Sequence, residues 1–491
     1  QGAAAEEEEK SSAKSPLELL VDQAMSSDAP AVPWRRSKLM IVGQGEVGKS
    51  ATLDSLLGRA FETGKASTVG AATEEEFCVD CSDVQEWTLV DTSESKEAAR
   101  ALATLAKGGT KNRTGRDASK EMRKQLEALD GERVPVQVPS KENKVMQTKV
   151  STKVSKKDAS SKATAQANEG ETKESKTTNH STITVGSMRG AENWQEFEYS
   201  ALFDDHAQFL QDVEFAAAAE NQSEDAITFS AWDFGGQKVF YALHHAFLTR
   251  YGCYIVVFRM TSLINESSDK ASQENAMNFI KGWLRTIAMH ARGAPVALVG
   301  THKDQIKNAS DHKNISEQLE SMMGVWANLD LLILQNRTDG LCFFPIDNVQ
   351  GSSDTTVKSV KEVIDRAVRD DCPEGSSYVE QQIPPSWVRL HDKLRASNLK
   401  IIKYDEVRKM AETGCSIPPS ELSLALKLFH QLGVLLFYDE PALRHHVILQ
   451  PQWLITHFTR VVREWKGSYH QHPDLVKIRN EHRDAFERFL T

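Results

Sequence analysis

The octapeptide GQGEVGKS, residues 43–50, limits what this chain can fold into more than any other stretch. It follows KLMIVG (38–43), a continuous apolar run stopped by glycine, and precedes KSATLDSLLG, where Leu53, Leu56 and Leu57 recur at helical spacing. The first pattern reads as a buried parallel strand and the second as a helix ended by Gly58. The octapeptide is therefore a loop leading from a strand into a helix N-terminus. Spacing alone admits three kinds of phosphate loop. Gly43, Gly45 and Gly48 spell the GxGxxG of dinucleotide folds and of protein kinases, whereas Gly43, Gly48, Lys49 and Ser50 spell GxxxxGK[ST].

Residues further along the chain choose among them. DFG (233–235) and HRD (482–484) are both present, but in the reverse of the kinase order. Phe489 stands where a metal-binding Asn is required, and Ser50 where the kinase loop carries Val. A dinucleotide fold wants an acidic residue about twenty positions on and has no use for Lys49 and Ser50. The GxxxxGK[ST] reading uses every residue. The loop and first helical turn, Gly43, Gln44, Gly45, Glu46, Val47, Gly48 and Ala51, cradle a nucleotide phosphate; Lys49 reaches the β and γ oxygens, and the Ser50 hydroxyl ligates Mg²⁺.

AITFSAWDFGG (226–236), GCYIVVF (252–258), PVALVGTHKD (295–304) and LCFFPID (341–347) read as further apolar strands. Between the second and third, Met277, Ile280, Trp283, Leu284, Ile287 and Ala288 fall on one helical face, and another helix is expected near 354–369. Strands alternating with amphipathic helices predict an α/β fold, a mostly parallel sheet with helices on both faces. WDFGGQ then reads as the DxxG of Ras-like GTPases. Asp233 holds Mg²⁺ through water, the Gly236 amide contacts the γ-phosphate, and Gln237 places the attacking water. Thr68, in STVG (67–70), is the candidate to complete the Mg²⁺ shell, with Thr73 as the alternative. In VGTHKD, Thr301, His302 and Asp304 occupy an [NT]KxD pattern, with His302 in the Lys place. Asp304 accepts from the guanine N1 and N2 hydrogens, which disfavours an ATPase. FPIDN (344–348) is the last base-facing loop.

Composition sets the outer bounds. A net charge of −10 over 491 residues argues against a general nucleic-acid binder. Six cysteines are too few for a disulfide framework, and no apolar run reaches the ~18–20 residues of a membrane span. The expectation is a cytoplasmic protein. Residues 1–33 read as linker. From Ser140 to Thr182 there is no Leu, Ile, Phe, Tyr or Trp, so this stretch cannot bury enough apolar surface to order itself, and a low-complexity insert spans about 100–222. DCPEG and QQIPP bracket a second linker at 371–382. Beyond it helices are expected near 385–396, 404–413, 419–432 and 451–464, with short strands at GVLLFYD and HHVILQ: a separate α+β module over 383–491. Cys78 and Cys81 are half of a zinc spacing without a second half and read as strand thiols. The paired histidines at 244–245 and 445–446 point apart and do not read as a metal site.

KLMIVGQGEVGKS, WDFGGQKVFYALHHAFLTRYGCYIVVF and VGTHKD are similar to the Roc GTPase domain of Roco proteins. IPPSW and LFHQLGVLLFYDEPALRHHVILQPQWL resemble the start of the COR domain that follows it. The resemblance implies Roc over 34–370 and the N-terminal part of COR over 383–491. It also implies GTP and GDP as ligands with Mg²⁺, a slow GTPase switch, and protein partners reached through COR and through leucine-rich repeats outside the chain. COR-mediated homodimerisation belongs to the same pattern, with a kinase in some members. The rival expectation is a non-hydrolysing scaffold that binds nucleotide to organise COR. With no arginine finger assignable in cis, turnover on the order of 10⁻⁴ to 10⁻² s⁻¹ is expected.

Overall fold

A computed structural model of the chain describes residues 19, 21, 29–64, 68, 71–80, 83–90, 96–106, 114–131, 206–218, 226–236, 247–264, 270–324, 331–369 and 380–461. The stretch Ser140–Thr182, Gln237, Cys81 and the histidines at 244–245 lie outside them.

Strand β1 (Val32–Gly43) runs through the centre of the sheet. Its second half pairs in parallel with β4 (Ile227–Phe234) on one side and β5 (Gly252–Arg259) on the other. β5 is followed in parallel by β6 (Pro295–Thr301), which carries the two-residue strands β7 (Leu332–Ile333) and β8 (Phe344–Pro345). Outside β4 lie β2 (Ala71–Asp80) and β3 (Asp83–Leu89), both antiparallel to their neighbours. The order β3-β2-β4-β1-β5-β6-β7 is the mostly parallel sheet expected from the alternating pattern.

Because successive strand side chains face opposite ways, β1 feeds two cores. Leu39 and Ile41 pack with Leu53 and Leu56 of helix α1 (Lys49–Leu56) and with Val357, Val360 and Ile364 of helix α7 (Thr355–Arg369). Met40 and Val42 face Ile280, Trp283, Leu284 and Ile287 of α5 (Lys270–His290) and Ile315 and Leu319 of α6 (Ala309–Gly324). Those four residues of α5 are the buried part of the face marked by its 3.6-residue periodicity.

The first half of β1 departs from expectation. Val32–Arg35 pairs antiparallel with β9 (Glu380–Ile383), so four residues on each side that read as linker or linker edge are strand. Neither segment has the alternation that announces a half-buried strand. β9 leads into α8 (Pro385–Ala396), α9 (Tyr404–Cys415), α10 (Pro419–Gln431) and α11 (Pro451–Val461), close to the helices expected there. β10 (Ile401–Lys403) pairs with β11 (His446–Ile448), while Leu436 of GVLLFYD makes an isolated bridge to Ile448.

The two ends of the insert read over about 100–222 also differ from expectation. They form α2 (Glu97–Ala106), α3 (Gly115–Gly131) and α4 (His206–Ala218). Met122 and Leu126 of α3 are buried with Leu422, Leu426 and Phe429 of α10, and Ala98 of α2 with Trp387 and Val388 of α8. These apolar stripes look short in isolation because the surface that buries them lies about 290–300 residues away in sequence.

Candidate functional site

The loop after β1 ends at the carboxyl edge of the sheet, where open α/β sheets bind ligands. Backbone geometry explains its glycines. Gly48 has φ of 90° just before α1, a left-handed conformation that glycine adopts without strain. Gly236 is pressed against the loop, so that a Cβ there would fall far inside contact distance of the Gln44 carbonyl carbon and the Gly45 nitrogen. DxxG and phosphate loop are thus in direct backbone contact, although 191 positions separate Gly45 from Gly236.

Three oxygens converge beside Lys49. The Ser50 hydroxyl donates to Asp233 Oδ2, Thr68 Oγ1 donates to the same oxygen at 2.8 Å, and the two hydroxyls lie 3.1 Å apart. Thr73 lies within β2, opposite Trp232 in the register with β4, five positions beyond Thr68. The Lys49 ammonium is buried and donates to the Gln44 carbonyl at 2.7 Å. Burial pulls its pKa down to about 8, opposed by the Asp233 carboxylate. A carboxylate with two hydroxyls is an all-oxygen donor set, the kind a hard divalent cation such as Mg²⁺ selects, so these residues fit that ion.

A second set of contacts joins the loop to the base-reading segment. Thr301 Oγ1 donates to the Val47 carbonyl at 2.8 Å. His302 is left-handed (φ 64°) and opens a short 3-10 turn, Lys303–Gln305, that leaves Asp304 exposed at the same edge. Lys303 is turned away, donating to Asp354 and Thr356 at 2.9 Å each. Ser55 in α1 donates to Asn348 Oδ1 at 3.0 Å, which brings FPIDN against the phosphate-loop helix. Ala51 lies in the first turn of α1, its carbonyl oxygen 2.9 Å from the Ser55 hydroxyl.

One residue of this edge went unnoticed in the sequence: Arg259, the last of β5, whose Nη2 donates to the Glu46 carbonyl at 2.7 Å. A lone cation closing an apolar strand run, GCYIVVFR, was the available signal. Gln237 lies outside the described residues.

Two family models match the chain. Residues 195–304 match Ras of Complex, Roc, domain of DAPkinase, and residues 384–483 match the C-terminal of Roc, COR-A domain. The two matches, Roc followed by COR-A, fit a Roco family protein. Roc has a Ras-like GTPase fold, and COR-A follows it along the chain. The Roc match begins beyond the phosphate loop; pairing of β1 with β4 unites the two parts in one sheet.

Among similar Roco proteins, probable serine/threonine-protein kinase pats1 of Dictyostelium discoideum is 28% identical over 249 residues, 50% of this chain and 7% of that protein. Probable serine/threonine-protein kinase roco5 of the same organism is 28% identical over 239 residues, 48% of this chain and 8% of that protein. Leucine-rich repeat serine/threonine-protein kinase 1 of Caenorhabditis elegans is 24% identical over 256 residues, 48% and 10% of the two chains. The chain thus spans a tenth or less of the length of these relatives. A solved structure, Methanosarcina barkeri Roco2 RocCORdC bound to GDP, aligns with a TM-score of 0.43 at 15% identity, covering 89% of this chain and 79% of that one. No helix among the described residues is long and apolar enough to cross a membrane.

Proposed function

We propose that the chain binds GTP and GDP at this edge and hydrolyses GTP slowly, alternating between two states that its COR module senses. The reading is carried by one observation, the meeting of Ser50, Thr68 and Asp233 oxygens beside the buried Lys49. These groups come from the phosphate loop, the STVG segment and DxxG, and nothing in an ordinary sheet edge requires all three to meet.

Each residue has a stated task. Lys49, released from the Gln44 carbonyl, places its charge on the β and γ oxygens, and the loop amides with the α1 N-terminus take the remaining phosphate charge. Ser50 and Thr68 would hold Mg²⁺ directly and Asp233 through water; bound there, the ion neutralises charge that builds on the phosphate oxygens. Gln237 orients the water. Thr301 fixes the base-reading turn on the phosphate loop, and Asp304 selects guanine. Protein partners reached through COR and through leucine-rich repeats beyond this chain, homodimerisation and a cytoplasmic location are part of the same proposal; one of the similar proteins is a leucine-rich repeat serine/threonine-protein kinase.

Phosphate release from GTP under multiple turnover tests it, on the 491-residue chain and its Gln237→Leu variant with Mg²⁺. Release on the order of 10⁻⁴ to 10⁻² s⁻¹ that drops at least about tenfold in the variant supports the assignment. Equal rates, or none above buffer, leave a nucleotide-binding scaffold instead.

A further inference from the structure

We infer that Arg259 is a nucleotide-positioning residue of this Roc domain, supplying from the end of β5 the base-side cation that the [NT]KxD-like segment lacks at His302. The inference rests on the nucleotide reading above.

Three observations carry it. First, Arg259 stands in register with Thr301 across the β5–β6 ladder, on the rim between the phosphate loop and the base-reading turn. Second, its Nη2 holds the Glu46 carbonyl at 2.7 Å. Glu46 is the non-glycine residue of the phosphate loop in the left-handed region, at φ 61°, a conformation that costs about 1 kcal/mol or more unless its surroundings fix it. Arg259 therefore braces the loop at its least favourable residue. Third, Arg259 Nε is buried and makes no hydrogen bond, so the fork is held at one corner and keeps donor capacity.

His302 cannot fill the role by charge. Burial and the neighbouring Arg259 both lower its pKa, with Asp304 opposing, so at neutral pH the ring is uncharged. The planar guanidinium of Arg259 offers both a face for a purine ring and a brace for the carbonyl. The two positions exchange duties. The motif's cation moves one strand over and becomes arginine, while histidine remains as the neutral partner.

The test is binding of a fluorescent GDP to the whole chain in three forms: wild type, Arg259→Ala, and Arg259→Ala with His302→Lys. Far-UV circular dichroism and the melting temperature of each empty protein report folding. The expected result is about tenfold weaker GDP binding in Arg259→Ala, the size of one charge-assisted hydrogen bond, with at least half of the loss on a logarithmic scale recovered by His302→Lys. A brace of purely structural value would lower the melting temperature without rescue by a lysine at 302. Unchanged affinity in Arg259→Ala, or weaker affinity with no rescue, overturns the inference while wild-type binding leaves the nucleotide reading standing. If the wild-type chain binds no GDP, both fall.

Discussion

Arg395 of α8 donates to the Glu76 carboxylate of β2 at 2.8 Å, a direct ion pair between the COR module and the strand that follows STVG. The pair belongs to a larger cluster. Arg36 from β1 makes a forked contact with Glu76 at 2.7 and 2.8 Å and reaches Glu97 of α2 at 2.8 Å. Glu97 also accepts from the Trp34 indole at 2.7 Å, and Asp392 of α8 accepts from the Ala98 amide at 2.8 Å, capping the start of α2. Removing one member of a buried ion cluster leaves the others uncompensated, which costs far more than the cluster is worth against an apolar replacement. Arg36→Met should therefore destabilise the chain by about 3 kcal/mol or more, read from the denaturation midpoint. A cost below about 1 kcal/mol would show that water solvates the site.

Acid should find the same cluster. Burial alone would raise the pKa of Glu97, but Arg36, His391, the Trp34 indole and Arg395 outweigh it and hold the carboxyl well below the ordinary range. A depressed carboxylate contributes stability that is complete above its unfolded pKa and is lost as pH falls through the folded one. Stability of the wild type should decline from about pH 4.5 downward. Glu97→Gln should start lower and decline less steeply over that window, measured by urea unfolding at pH 3, 4, 5 and 7.

Lys38 makes the opposite prediction. Its ammonium is fully buried, over the Trp232 ring, with Thr249 Oγ1 at 3.0 Å, and burial lowers its pKa to about 7. An unfolded lysine keeps its proton to about pH 10.4, so between pH 7 and 10 the unfolded chain binds the extra proton and this group's contribution rises with pH. The slope has a ceiling of about 1.4 kcal/mol per pH unit for one group. Lys38→Met should remove that slope between pH 7 and 9. A variant with the wild-type slope would place the titration elsewhere.

Lys49 should tie nucleotide affinity to pH. Phosphate favours the protonated amine, so affinity is full below pH 8 and falls as the amine of the empty site loses its proton, by up to about tenfold per pH unit. Lys49→Arg, charged throughout, should bind with a flat profile from pH 7 to 9. Fluorescent GDP titrations at the two ends of that range are sufficient.

Gly433 probes the packing between modules. It sits after α10 with φ of 73°, and a Cβ there would overlap Lys38 Cε and Cδ. Thr249, which holds the Lys38 ammonium, donates in turn to the Gln431 carbonyl at 2.7 Å. Gly433→Ala should cost about 1–3 kcal/mol through overpacking and backbone strain, and Lys38→Ala should relieve part of it in the double variant. Strict additivity would mean that the two residues do not share the space.

What could be read from the sequence follows how far its cause extends along the chain. The phosphate loop, the face of α5 and helices α8–α10 are set by local spacing, and they lie within two or three residues of where the periodicity puts them. The meeting of Ser50 with Asp233 was legible because the motif names both partners. Pairing of Val32–Arg35 with β9, burial of Met122 against α10 and the grip of Arg259 on Glu46 were not. Each depends on a partner between about 210 and 350 positions away, and no local pattern announces it.

Strand β1 ends in the phosphate loop and begins as the partner of β9, with no loose hinge between. A gene fragment cut in the apparent linker at 371–382 would expose an unpaired hydrogen-bonding edge on Val32–Arg35 and strip Trp34 of His391 and Phe429. For anyone exchanging modules between members of this family, the unit of transplantation is therefore the pair, not either half.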